Sequence, residues 1–298
     1  MNVETPTGKI KFSLSKTLWL YFILIPVVLI DFTAITVEAG IITSVITLLT
    51  VGIGHSVGLH RGVIHKSYKT SRLFRNVSMY LFVLNGMGSP LSWLKQHYFR
   101  DYWQNRKDCP RYFQYKHSLL KDYWWNLHLQ YTPNSLDRYA IPEQDLEDPW
   151  LQWLHRTWIF HNLGFMLLIF LLTDFNTMLL ATFFRSALVI LGHWFIGYVS
   201  HTFGYAHYKI EGADESGYNN VLLGLLSFGE GFHNNHHSHP SSAKFSLKWY
   251  EVDFGWFLVR LLQRLGLIYD VKTPETTLKN TAVAHHPFKR RLPWNKSK

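Results

Sequence analysis

Four apolar stretches, set in two pairs with a short turn inside each pair, leave this chain few ways to fold. The first pair runs from Thr17 to about Ala34 and from about Ala39 to Leu59 (17–34 and 39–59). The second runs from Trp158 to Thr173 and from Met178 to about Val199 (158–173 and 178–199), around a turn at Asp174–Asn176. Each stretch approaches the ~20 residues that a helix needs to cross hydrocarbon. The first could pass for a signal peptide, but no small-residue cleavage site follows it. The expected fold is all-α and integral to the membrane, with four transmembrane helices in two hairpins.

A long polar segment separates the pairs. From Arg61 to Asp122 it carries about a dozen Lys and Arg, against Asp101, Asp108 and Asp122. Basic residues beside apolar spans mark the cytosolic side. Both termini are expected there too. Inside this segment the broken apolar piece Leu73–Leu94, which contains Arg75, Asn76 and Asn85, reads as an interfacial or partly embedded helix. An amphipathic helix is expected over about Glu251–Leu267, and a solvated basic tail at Lys289–Arg291. Together these give one membrane domain, 1–298, with a helical cytosolic cap formed by 60–157 and 200–298.

Composition agrees. Charged residues make up 17% of the chain, below the roughly 25% usual for soluble domains. The 12 Trp and 16 Tyr suit membrane–water interfaces, where amphipathic rings are stable. The net charge of +10 clusters beside the spans, and no nucleic-acid motif is present, so nucleic acid is not an expected partner. Apart from Asp31 and Glu38, near a turn, no ionisable residue is expected deep in a span, which weighs against a transporter.

Cys109 is the single cysteine, so neither an intramolecular disulfide nor a thiolate cluster can form. Any metal must be held by histidine and carboxylate. The chain has 17 His, far more than structure alone requires. His60 and His65 close the second span; His97 follows in the polar segment; His201 stands just past the fourth span. His233, His236 and His237 are spaced i, i+3 and i+4, which places them on one helical face. They could serve one metal or bridge a pair of sites. His60 and His65 stand about 140° apart on a helix of ~3.6 residues per turn. They could serve two ions, or one if the helix ends between them.

At these residues the chain resembles the membrane fatty-acid desaturase family, most closely its acyl-CoA delta-9 type. Gly58-Leu-His60-Arg with His65 resembles the first histidine box of that family. Phe228-Gly-Glu-Gly-Phe-His233-Asn-Asn-His236-His237 resembles the third, with Trp249 to Asp253 downstream. Ser200-His201-Thr-Phe-Gly-Tyr205 resembles the extra metal-ligand segment. The resemblance implies a mushroom-shaped helical fold and two iron ions, with O2 as co-substrate. It implies a double bond introduced into an acyl chain carried on CoA, acyl-carrier protein or phospholipid. Electrons would come from a separate ferredoxin or cytochrome-b5-like donor. The implied iron ligands are His60, His65, His97, His201, His233, His236 and His237. Glu230 and Asn234 would orient them, and Lys95 would meet a phosphorylated headgroup.

The second box departs from the family pattern His-x-x-His-His, reading His97, Arg100 and Asp101. The family's Asn four residues before the extra histidine is Gly197 here. A guanidinium has no lone pair to give, so Arg100 cannot be a ligand. A carboxylate can, and Asp101 is expected to bind one iron. Hydroxylation of the acyl chain on the same scaffold, or a non-catalytic lipid- or protein-binding role, are the alternatives to desaturation.

Overall fold

The computed structural model describes residues 3–5, 7–104, 106–210, 217–277 and 283–285. The expected basic tail at Lys289–Arg291 lies outside them. Ten helices position the site. They are α1 (Leu14–Leu24), α2 (Val37–Ile64), α3 (Arg72–Val83), α4 (Pro90–Gln104) and α5 (Leu119–His128). Then come α6 (Pro149–Leu172), α7 (Phe175–Thr202), α8 (Val221–Leu226), α9 (His233–Ser238) and α10 (Phe254–Arg264). Short strands, which the all-α expectation omitted, accompany them. Gly8–Phe12 pairs antiparallel with Val3–Thr5 on one side and Leu129–Pro133 on the other. Lys69–Thr70 pairs with Ile268–Tyr269, and Tyr208–Ile210 with Val283–His285.

Among the described residues, α2, α6 and α7 are long and apolar enough to cross a membrane, at 28, 24 and 28 residues. They contain the expected spans 39–59 and 178–199, and 158–173 except for its last residue, Thr173, which caps α6. Many of their apolar side chains face outward, including Ile41, Val45, Phe160, Leu167, Leu171 and Leu188. The expected span 17–34 is shorter. Its α-helix stops at Leu24 and a 3-10 turn carries the chain to Leu29. Pro26 is the reason: it lacks an N–H and its ring crowds the preceding turn. The helix starts are set by side-chain oxygens. Thr36 accepts from Ala39 N, Asp148 from Trp150 N and Leu151 N, and Asp174 from Asn176 N and Thr177 N.

By internal contacts the described chain divides into two compact units. The first comprises Met1–His55, Asn76–Tyr98 and Leu119–Trp194. Its core gathers Ile23, Ile30, Met166, Ile169, Leu179 and Phe183. The broken apolar piece Leu73–Leu94 is two helices, α3 and α4, and the end of α3 is buried in this unit. A helix end without water must find donors for its last carbonyls. Asn162 Nδ2 donates to Val83 O, Arg185 Nη2 to Leu84 O and Trp19 Nε1 to Gly86 O, at 3.0, 2.7 and 2.7 Å. Arg185 lies inside α7, a charge that the reading of the spans passed over. It also donates to Ala181 O and to Thr50 Oγ1. A cation at a helix C-terminus is favourably placed against the helix dipole.

The second unit comprises Ser56–Arg75, Phe99–Ser118 and Phe195–Lys298. Val57, Tyr68, Ala243, Val259, Leu262 and Ile268 form its described core. The expected amphipathic helix is α10. It buries Val259 and Leu262 and exposes Phe254, Phe257 and Leu261.

Candidate metal centre

The last 17 residues of α2, Leu48–Ile64, are wound as a π-helix. Its turns close i to i+5, and His65 N donates to His60 O at 3.1 Å. Residues five apart therefore stack on one face, and the two imidazole centroids are 4.8 Å apart. On an α-helix they would diverge. The π winding thus settles the alternative left open by spacing: both rings serve one group.

Helix α9 divides its three histidines. His236 joins His60 and His65, at centroid distances of 4.7 and 4.5 Å. His233 and His237, one turn apart, face His201 at the end of α7. His233 Nε2 lies 3.0 Å from His201 Nε2 and 2.9 Å from His237 Nε2. His97, on α4, is the fourth residue of the first of these groups. The result is two groups, His60, His65, His97, His236 and His201, His233, His237. Within each, the ligand nitrogens lie within 4.8 Å of one another.

A set of buried carboxylates holds the rings. Glu230 Oε2 is 2.6 Å from His60 Nδ1. Glu230 is fixed in turn by Ser56 Oγ at 2.6 Å and Arg61 at 3.2 Å. Arg61, fully buried, also reaches Asp253 at 3.1 Å. Gly229 (φ +92°) and Gly255 leave room for this guanidinium, because a Cβ on either would strike it. Glu251 anchors the other side of α9. It accepts from Asn235 Nδ2, His207 Nε2, Tyr205 OH, Leu247 N and Lys248 N. Burial disfavours the Glu251 anion, but these bonds outweigh it and hold its carboxyl below the usual range.

The other expected residues fall into place unevenly. Asn234 bonds to backbone groups. It accepts from His207 N and Tyr208 N and donates to Tyr208 O and Gly217 O, which fixes the loop before α8. Lys95 is half-buried on α4. Arg100 donates to Tyr115 OH at 3.3 Å. Asp101 is in neither group. It stands one turn beyond His97 on α4, and its carboxylate oxygens are not among the ligand atoms that lie within 4.8 Å of one another. Accordingly, Asp101→Ala is expected to leave the metal content per chain unchanged; a lower content would return Asp101 to the site. Sequence reading missed Arg61, Asp253, Glu251 and Asn235. For Arg61 the signal was present, since an arginine directly follows a candidate ligand.

The donor set suits a first-row transition ion. It is all imidazole, with Cys109 in neither group. His236 is buried, and burial with the nearby His65 and His60 holds its pKa well below the usual imidazole value. It is therefore neutral, with a lone pair to give. Two nitrogens each ~2.1 Å from a shared ion at roughly right angles would lie ~3 Å apart, as the Nε2 pairs of the second group do. Replacing Glu230 by Gln is expected to weaken the affinity of the four-histidine group by about 10–100-fold. Competition with a chelator measures this, and an unchanged affinity would show that Glu230 does not orient His60.

Comparison with known proteins agrees with this geometry. The family model described as fatty acid desaturase matches residues 39–269. The sn-1 stearoyl-lipid 9-desaturase of Anabaena variabilis is 32% identical over 228 residues, covering 75% of this chain and 80% of that protein. Delta-9 acyl-lipid desaturase 2 of Arabidopsis thaliana is 29% identical over 229 residues, covering 75% and 71%. The acyl-CoA C20 Delta5-desaturase of Anemone leveillei is 26% identical over 226 residues, covering 74% and 70%. With its apolar helices and paired histidine groups within the matched region, this chain belongs to the fatty acid desaturase family.

Proposed function

We propose that this protein inserts a double bond into a fatty acyl chain at a diiron centre, using O2 and electrons from a separate protein donor. The observation that carries the reading is the pair of histidine groups, the first of them with Glu230 against His60. In that reading His60, His65, His97 and His236 hold one iron, and His201, His233 and His237 hold the other. When bound, the irons supply the oxidising chemistry: O2 and two hydrogens from adjacent methylenes, with two electrons and two protons from outside, become two waters and an alkene. The chain's own residues do the rest. Imidazoles fixed by Glu230 keep the ions in place, and apolar helices give the acyl chain a dry path.

Four passes, with the site and both termini on the cytosolic side, are part of the proposal. Their support is the charge asymmetry along Arg61–Asp122 and the apolar segment Leu14–Leu29 beside the three longer helices. The names of the relatives favour a lipid-linked substrate over acyl-CoA, and the 9 position for the double bond. The test is iron analysis of the purified protein together with acyl-chain profiling of cells that express it. Two irons per chain and a new monounsaturated acyl lipid are expected. A hydroxylated chain would indicate the hydroxylase variant, and absence of metal would overturn the reading.

A further inference from the structure

The two histidine groups are unequal. Among the described residues one gathers four imidazoles and the other three, and neither includes a carboxylate. The difference originates on α4. That helix supplies His97 to the larger group, but three residues on it carries Arg100, whose guanidinium has no lone pair to give. The smaller group draws its donors from two helices, His201 from α7 and His233 and His237 from α9. The larger group draws on three elements, the end of α2, α4 and α9.

The larger group is also braced from outside. Glu230 Oε2 lies 2.6 Å from His60 Nδ1, and Glu230 is itself held by Ser56 and Arg61. Losing such an outer partner costs about 10–100-fold in metal affinity. Lacking a whole ligand costs no less, because the direct bond is the one that the outer contact serves. Coordination number gives a second reason. Four protein ligands close a tetrahedral site, whereas three leave a position for solvent or another small molecule to fill. The smaller group is compact enough for one ion, with His233 Nε2 at 3.0 Å from His201 Nε2 and 2.9 Å from His237 Nε2. What it lacks is a donor, not proximity.

We propose that the four-histidine group is the retaining site and the three-histidine group the exchangeable one, so that metal supply regulates the centre through His201, His233 and His237. The chain then has a stable one-ion state, which a second ion converts to the two-ion state. The proposal rests on the diiron reading above and names how that site is regulated. Binding or release of the second ion transfers no electron.

The test is graded chelation of the full chain in detergent, loaded with iron(II) and kept free of oxygen. Native mass spectrometry counts the ions per chain. A plateau at one ion is expected, with the other ion leaving at a chelator strength lower by about tenfold or more and returning when iron(II) is added back. His201→Ala should hold one ion to the same strength as the plateau ion of the wild type. In His65→Ala no ion should survive to that strength. Two ions leaving the wild type in a single step overturns the inference, as does uptake of one ion only in excess iron(II). So does a plateau that survives in His65→Ala and is missing from His201→Ala. Because the first readout is on the wild-type protein, poor folding of a variant cannot mask the result. A wild-type protein that takes up no iron overturns the diiron reading itself, a distinguishable failure.

Discussion

His236→Ala is expected to halve the iron content and to reduce double-bond formation to background. His236 is the pivot of α9. It is 3% exposed, and its ring sits 4.5–4.7 Å from those of His65 and His60. The rings of His233 and His237, on the same short helix, are 6.0 and 5.8 Å away and serve the other group. Alanine at 236 removes one imidazole from the four-ligand group and none from its neighbour. Chemistry that needs both ions stops, while the second ion stays as an internal sign of folding. The control is His239→Ala. His239 is 2% exposed and lies three residues further on, but it belongs to neither group. Both irons should remain in that variant. Iron analysis and acyl profiling of the two proteins decide the matter, and two irons retained in His236→Ala would remove the four-histidine group from the site.

How much of this was legible in the sequence depends on the range of the interaction involved. The apolar lengths of α2, α6 and α7 were readable because a span is a local property. The break at Pro26 was readable in principle, but hydropathy alone carries across it. The i, i+3, i+4 spacing of His233, His236 and His237 revealed a shared face. It did not reveal that the face is split between two histidine groups, because the partners come from segments about 30 to 180 residues away. His60 and His65 were ambiguous because period arguments assume α winding, and the π turn that unites them leaves no pattern in composition. Arg185 was hidden for a similar reason. Its role is to cap the end of α3, a carbonyl about 100 residues away in sequence. Asp101 was expected because a carboxylate near a histidine box is chemically suitable; which way its side chain is directed is set by tertiary packing, and it falls in neither group.

Arg61→Ala, measured on metal-free protein, is expected to cost about 3–5 kcal/mol of stability, the usual cost of breaking one side of a buried ion pair. Arg61 is fully buried. Its Nε donates to Ala243 O, its Nη1 to Ser56 and Glu230, and its Nη2 to Phe228 O and Asp253. Its charge also lies 3.8 Å from the Phe245 ring centroid. Removing the guanidinium leaves the buried Asp253 carboxyl, 0% exposed, with only the N–H groups of Phe245 and Trp256, and Glu230, 13% exposed, without its cation. Phe228 (φ +56°) would also lose the shorter of two bonds to its carbonyl, the other coming from Ser56 Oγ. Arg61→Lys should recover only part of the loss, since an ammonium keeps the charge but cannot span both acids with a planar fork. The contrasting pair is Lys69 with Asp270. It is as short, at 2.8 Å, yet 69% and 59% exposed, and Lys69→Ala should leave Tm unchanged because water screens it. Thermal unfolding in detergent compares the three variants. If Arg61→Ala melted with the wild type, the buried network would not be what holds His60 and α9 in register.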